Sequence, residues 1–151
     1  MQVWGVTDIG LVRKENQDAY LVRESGGHTI CVVCDGMGGA AGGRLASQIA
    51  TETFVDELER LLAPGMEPEQ LLSVSARAVF AANQAVREAA AESEAYQNMG
   101  TTLVAAVSYA GGTVVTNVGD SRAYHVTREG ITRVTKDHSL VERMVDRGDI
   151  T

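Results

Sequence analysis

Apolar and polar positions divide this chain into three stretches. Short apolar runs come first. Val3 to Asp8, Ala19 to Arg23 and Thr29 to Cys34 read as strands. A charged loop from Gly10 to Asp18 separates the first two, and Gly26-Gly27 turns the chain before the third. The third run is nearly all apolar, the pattern of a strand buried on both faces. Asp35 to Gly43 then holds five glycines in nine residues, so its backbone must approach something closely or take positive φ.

Helical spacing takes over next. Arg44 to Leu62 carries an apolar stripe of Leu45, Ile49, Phe54, Leu58 and Leu61 or Leu62. Pro64-Gly65 and Pro68 part it from a second, alanine-rich helix over Glu69 to Glu94. After Asn98-Met99-Gly100 the strands return, at Thr101 to Tyr109 and Thr113 to Val118. Arg122 to Thr127 and Ile131 to Thr135 make a hairpin around Glu129-Gly130. Ser139 and Glu142 form a capping box for a last helix, Leu140 to Arg147. Strands do not alternate with helices, which disfavours a doubly wound parallel sheet. The order predicts an α+β fold with antiparallel sheet and helices packed on it.

Length and composition narrow the function. With 151 residues, 44% of them hydrophobic, the chain suits one domain with a core of its own. Thirteen Lys and Arg against 20 Asp and Glu leave a net charge of −7, whose field opposes a nucleic-acid partner. Ligand carboxylates would account for part of that surplus. Met1-Gln2-Val3-Trp4 has no signal-peptide character, and no apolar run reaches the roughly 18–20 residues of a membrane span. The compartment expected is the cytoplasm. Cys31 and Cys34 have C-x-x-C spacing, but three apart on a strand they point to opposite faces, so they read as packing residues.

Three aspartates stand at strand ends beside glycine or polar loops: Asp18, Asp35 and Asp120. Hard oxygen ligands of this kind suit Mg²⁺ or Mn²⁺, and Gly36 could add its carbonyl. The plainer alternative makes each a turn or cap residue. Asp35 resists it, since a lone charge at the end of an apolar strand is costly without a partner. Arg13 has the fork geometry that grips a phosphate, though spacing alone favours a solvated loop arginine. His28, His125 and His138 read as structural or surface residues.

Arg13-x-x-Asn16-Gln17-Asp18, Asp35-Gly36-Met37-Gly38-Gly39, Met99-Gly100-Thr101-Thr102 and Gly119-Asp120-Ser121-Arg122 follow one another in the chain. In that order they resemble the successive motifs of the metal-dependent serine/threonine protein phosphatases (type 2C), in their bacterial branch. Lys136-Asp137-His138-Ser139 is similar to the stretch that follows them. The resemblance implies an antiparallel β-sandwich flanked by helices, in four αββα layers. It also implies two Mn²⁺ or Mg²⁺ ions, with a third in the complete domain, and hydrolysis of phosphoserine and phosphothreonine by a metal-activated water. Carried over, Asp18 and Asp35 are metal ligands, with Asp35 bridging. The Gly36 carbonyl completes a shell, Arg13 grips the phosphate, and Asp120 helps hold the third ion. Gln17 stands where many eukaryotic relatives have an acid. Met37 and Ala40 stand where other members place a histidine, so no proton donor is named.

The family pattern also continues further than this sequence, with two more metal-binding aspartates. Residues 1–151 therefore read as the N-terminal portion of one catalytic domain, incomplete at the C-terminus. Such a chain should be weakly active or inactive alone. Its partners would be phosphorylated proteins, the substrates of a Ser/Thr kinase, and its unfinished sheet edges offer a route to a dimer. The competing reading is a non-catalytic module that binds metal weakly or holds a protein partner through those edges.

Overall fold

The computed structural model describes residues 1–139. Two antiparallel strands, β1 (Asp18–Ser25) and β2 (His28–Met37), lead into two long helices, α1 (Ala40–Leu61) and α2 (Pro68–Ala91). A 3-10 turn at Glu94–Tyr96 precedes β3 (Gly100–Thr101), β4 (Leu103–Tyr109) and β5 (Gly112–Val118), and β6 (Tyr124–Val126) and β7 (Ile131–Arg133) follow. The main sheet runs β1-β2-β4-β5, with β3 also paired to β2, and β6–β7 form a separate ribbon. Every pairing is antiparallel. The α+β class is the one that the pattern predicts. Within the described residues it builds one helix layer on one sheet layer.

Alternation along β2 settles which face is inner. Ile30, Val32 and Cys34 are fully or almost fully buried, in one core with Phe54, Val55 and Leu58 of α1, Leu71 and Ala78 of α2, and Leu103, Ala105 and Val107 of β4. Val33, between them, is 47% exposed. So β2 is buried on one face, not on both as its composition suggests, because α1 and α2 cover only the side that Ile30 and Val32 occupy. Tyr20, Val22 and Val33 are left as an exposed apolar patch on the other side.

The cysteines separate as expected: Cys34 is buried in the core and Cys31 is half-buried on the outer face. Burial pushes the Cys34 thiol up to about 12 against a weaker opposing hydrogen bond with Thr101, and burial also raises Cys31. The thiolate is the reactive form. Ellman's reagent at pH 8 is therefore expected to reach Cys34 only when the chain unfolds. Rapid reaction of both cysteines in the native chain would contradict this packing.

The glycine-rich stretch differs most from its sequence reading. β2 runs on to Met37 and α1 begins at Ala40 rather than Arg44, leaving Gly38 and Gly39, at φ +114° and +83°, as the connection. Gly42 and Gly43 sit in the first turn of α1. A Cβ on Gly36 would lie 1.9 Å from the Gly43 carbonyl oxygen, and one on Gly43 would lie 2.5 Å from Gln17 Oε1. These glycines serve close backbone contact between the end of β2 and the start of α1. Gly36→Ala is expected to cost at least about 1–3 kcal/mol, since the colliding atom is backbone and cannot swing aside. An unchanged Tm would refute the contact.

Other boundaries move as well, and the hairpin strands β6 and β7 are shorter than Arg122 to Thr127 and Ile131 to Thr135. The Gln70 side chain accepts the Glu67 N–H at 2.9 Å, and Pro68 opens α2 just after it. α2 ends at Ala91, ahead of Glu94, where the 3-10 turn starts. Val3 to Asp8 is not a strand. It crosses the outer face of β1, where Tyr20 donates to the Gly5 carbonyl at 3.2 Å, and no strand among the described residues pairs with it. Its alternation is real, but a strand exists only through a ladder, and Trp4 and Val6 stay largely exposed. The expected helix at Leu140 to Arg147 lies outside the described residues. Among them, no helix is long and apolar enough to cross a membrane.

Candidate functional site

The register of β1 and β2 sets Asp18 directly opposite Asp35. Both side chains emerge on the face away from the helices, and both residues are exposed. Directly opposed like charges are destabilising in an antiparallel ladder. The Asp35 carboxyl registers this. Burial pushes it up from its ordinary value, as do the facing Asp18 carboxylate, a hydrogen bond shared with it, and the more distant Asp120; Arg13 pulls it down. Two carboxylates set face to face at one strand end, with the charge of a third acting on them, leave a field that suits a cation.

The loop before β1 is pinned where it carries Arg13 and Asp18. Asn16 Oδ1 accepts the Asp18 N–H at 3.0 Å, and its Nδ2 donates to Thr7 Oγ1 at 2.7 Å. Gly36 N–H donates to the Gln17 carbonyl at 3.1 Å, and Gln17 Nε2 donates to the Gly39 carbonyl at 2.9 Å. Arg44, in α1, holds Glu15 at 2.8 Å. Gln17 thus ties the loop to the start of α1 instead of standing free as a ligand.

Arg13, Asp18, Asp35 and Gly36 line one open cavity of about 710 Å³, together with Asp8, Gln17, Met37 and Gly38. The structure therefore brings four of the five predicted site residues onto one surface. Asp120 is the exception. It sits in the turn after β5, outside the cavity lining, and reaches Asp35 through its charge. Arg13 is exposed and makes no hydrogen bond or ion pair among the described residues, so its guanidinium is available to an anion. None of His28, His125 and His138 lines the cavity.

Arg122 has a different task. It grips Asp137 through two nitrogens, at 2.6 and 3.0 Å, with Arg133 at 3.7 Å from the same carboxylate. Arg122 holds Asp137 below the usual carboxylate range. This fork fastens the turn after β5 to the stretch after β7.

The donor set fits a hard divalent cation. Its oxygens come from carboxylates that repel one another and from the Gly36 carbonyl, while the Arg13 guanidinium beside them suits an anion. The set is also sparse: among the described residues, no group of three or more His, Cys, Asp or Glu is placed to hold an ion. Sequence reasoning missed two residues here. Asp8 lines the cavity but spends one oxygen on the Gly10 N–H at 2.7 Å. Thr102 is buried behind Asp35 and accepts the Asp35 N–H at 3.0 Å. Its place in Met99-Gly100-Thr101-Thr102 was the available signal.

A family model described as protein phosphatase 2C matches residues 12–142. The serine/threonine phosphatase Stp of Listeria welshimeri is 33% identical over 146 residues, which cover 96% of this chain and 58% of that protein. The serine/threonine protein phosphatase PstP of Mycobacterium tuberculosis is 36% identical over 148 residues, covering 96% of this chain and 26% of that one. The crystal structure of the serine/threonine phosphatase Stp1 from Staphylococcus aureus superposes with a TM-score of 0.86 at 34% identity, over 97% of this chain and 57% of that one. The chain thus spans little more than half the length of Stp and Stp1, and about a quarter of PstP.

Proposed function

The chain belongs to the protein phosphatase 2C family, and we propose that it contributes part of a metal-dependent site that hydrolyses phosphoserine and phosphothreonine in proteins. The facing pair Asp18–Asp35, at the rim of a cavity that Arg13 also lines, is the observation that carries this reading. Asp18, Asp35 and the Gly36 carbonyl would hold Mn²⁺ or Mg²⁺, with Asp120 toward a further ion. When bound, such ions supply charge for the phosphoryl oxygens and acidity for a water. The chain's own residues do the rest. Arg13 binds and orients the phosphate from the open side. The Gly38–Gly39 turn keeps side chains away from the ester. The pinned Asn16–Gln17 segment fixes Asp18 against Asp35.

Phosphoproteins made by a Ser/Thr kinase are the substrates this reading implies, in the cytoplasm. Residues 1–151 would be the N-terminal portion of one catalytic domain. Too few ligands are at hand to fix two ions of about six oxygens each, so turnover by this chain alone is expected to be weak. The same sparseness favours the second reading, a module that binds metal weakly and associates, for instance as a dimer, through the outer strands of its sheet.

Arg13 offers the sharpest test of the phosphate contact. In a chain carried to the length of its relatives, Arg13→Ala should raise KM for a phosphopeptide about 10–100-fold, the loss of a charge-assisted contact worth roughly 1.5–3 kcal/mol. Mn²⁺ affinity should stay as it was. An unchanged KM would remove Arg13 from this role.

A further inference from the structure

We propose that Thr102 is a positioning residue, whose hydroxyl ties the strand end carrying Asp35 to the turn carrying Asp120. This rests on the metal reading above and concerns how two of its carboxylates are held together. Thr102 is 3% exposed and stands opposite Asp35, between β3 and β4. Its N–H donates to the Asp35 carbonyl at 2.9 Å, as in a regular ladder. The return bond is irregular. Asp35 N–H goes to the Thr102 hydroxyl at 3.0 Å. The single proton of the Thr101 hydroxyl is shared instead between the Thr102 carbonyl at 2.9 Å and the Asp35 carbonyl at 3.0 Å. The ladder breaks at this point, which frees the hydroxyl of Thr102 to turn toward the next element.

That element is the turn after β5. Thr102 Oγ1 and Ser121 Oγ are 2.6 Å apart, and Ser121 follows Asp120 directly. A hydroxyl carries one proton and two lone pairs. Accepting from Asp35 uses one lone pair and leaves the hydrogen and the other lone pair for Ser121. The methyl side is engaged too. Gly119, at φ +98°, wraps so closely that a Cβ there would lie 2.8 Å from Thr102 Cγ2. His138 N–H holds the Gly119 carbonyl from the far side at 2.9 Å. One buried side chain therefore touches the backbone of Asp35 and both neighbours of Asp120, while touching neither carboxylate.

The predicted consequence is specific in space. The ¹⁵N-labelled 151-residue chain is titrated with Mg²⁺, and the apparent Kd is read separately at the Asp18, Asp35 and Asp120 amides. Thr102→Val keeps the shape and removes both hydrogen bonds; Ser121→Ala removes one. Each should raise the Kd read at Asp120 about tenfold, the usual scale for a residue that supports a ligand, and change that read at Asp18 less. The double variant should be no worse than the weaker-binding single variant, and Thr102→Ser should restore binding. A merely structural role would shift all three sites together, and that result overturns the proposal. So does a Kd at Asp120 that ignores both substitutions while Asp18 and Asp35 still respond to Mg²⁺. A wild-type chain without any Mg²⁺ response at Asp18 and Asp35 overturns the metal reading, and this inference with it.

Discussion

Mn²⁺-dependent hydrolysis of p-nitrophenyl phosphate by the 151-residue chain is expected to be at least about 100-fold slower than by the same chain carried to the length of Stp or Stp1. The reason is ligand count. Mg²⁺ and Mn²⁺ want near-octahedral oxygen shells, and although water fills several positions, the carboxylates of a site must converge on the ions they hold. Here two carboxylates face each other across β1 and β2, a third stands off beyond the cavity lining, and no trio of ligating side chains converges among the described residues. The chain covers 58% of Stp, so a full-length relative has residues in hand to complete the shell. Equal turnover by the two forms would defeat the partial-site account. An inert long form would defeat the enzyme reading altogether.

Much of this was legible in the sequence, for physical reasons that differ from element to element. The hairpin β1–β2 and the β4–β5 hairpin announce themselves by period and by the glycines that turn them, and the two helices by period and by the Pro64-Gly65 and Pro68 break between them. Asp35 stood out because a charge closing an apolar strand demands an explanation, and the facing Asp18 and the cavity are consistent with the one given. What stayed hidden depended on partners far along the chain. Val3 to Asp8 has strand composition, yet no local signal says whether a second strand pairs with it. The glycines from Gly36 to Gly43 were visible as a need for close approach. That the approach is to the first turn of a helix, against Gln17, could not be read from spacing. Thr102 stood in a visible motif, Met99-Gly100-Thr101-Thr102, but its role arises from a broken ladder bond and a serine 19 residues away, which the motif does not show.

Asp35→Asn is expected to act in opposite directions on binding and stability. Removing one oxygen charge from the pair should weaken Mn²⁺ binding at least about 100-fold, beyond the 10–100-fold that supporting residues are worth. The metal-free chain should melt at a higher temperature than the wild type. The sign follows from linkage. The folded carboxyl is raised above its unfolded value by burial and by Asp18, so the native state binds this proton more tightly. Its favourable contribution is full below the unfolded carboxylate value and is lost as pH rises through the raised folded one. At neutral pH the ionised Asp35 is therefore a cost that asparagine removes. The gain in Tm should shrink as pH falls through the raised folded value and vanish below the ordinary carboxylate value, and Mn²⁺ should reverse it by stabilising only the wild type. A lower Tm at neutral pH would mean that Asp35 is held by favourable contacts and is not strained against Asp18.

Asp18 and Asp35 acting as a cation-binding pair is tested most directly by Mn²⁺ binding, followed by the loss of the free-ion electron paramagnetic resonance signal. The comparison is between wild type, Asp18→Asn, Asp35→Asn and Asp8→Asn. Asp8 lines the same cavity, but one of its carboxylate oxygens is held by the Gly10 N–H and it does not face the Asp18–Asp35 pair across the β1–β2 ladder. The prediction is that the wild type binds Mn²⁺ weakly but measurably, that either Asp18→Asn or Asp35→Asn abolishes this binding, and that Asp8→Asn leaves it intact. Binding that survives both central substitutions, or a wild-type chain that leaves all the Mn²⁺ free, would contradict the claim.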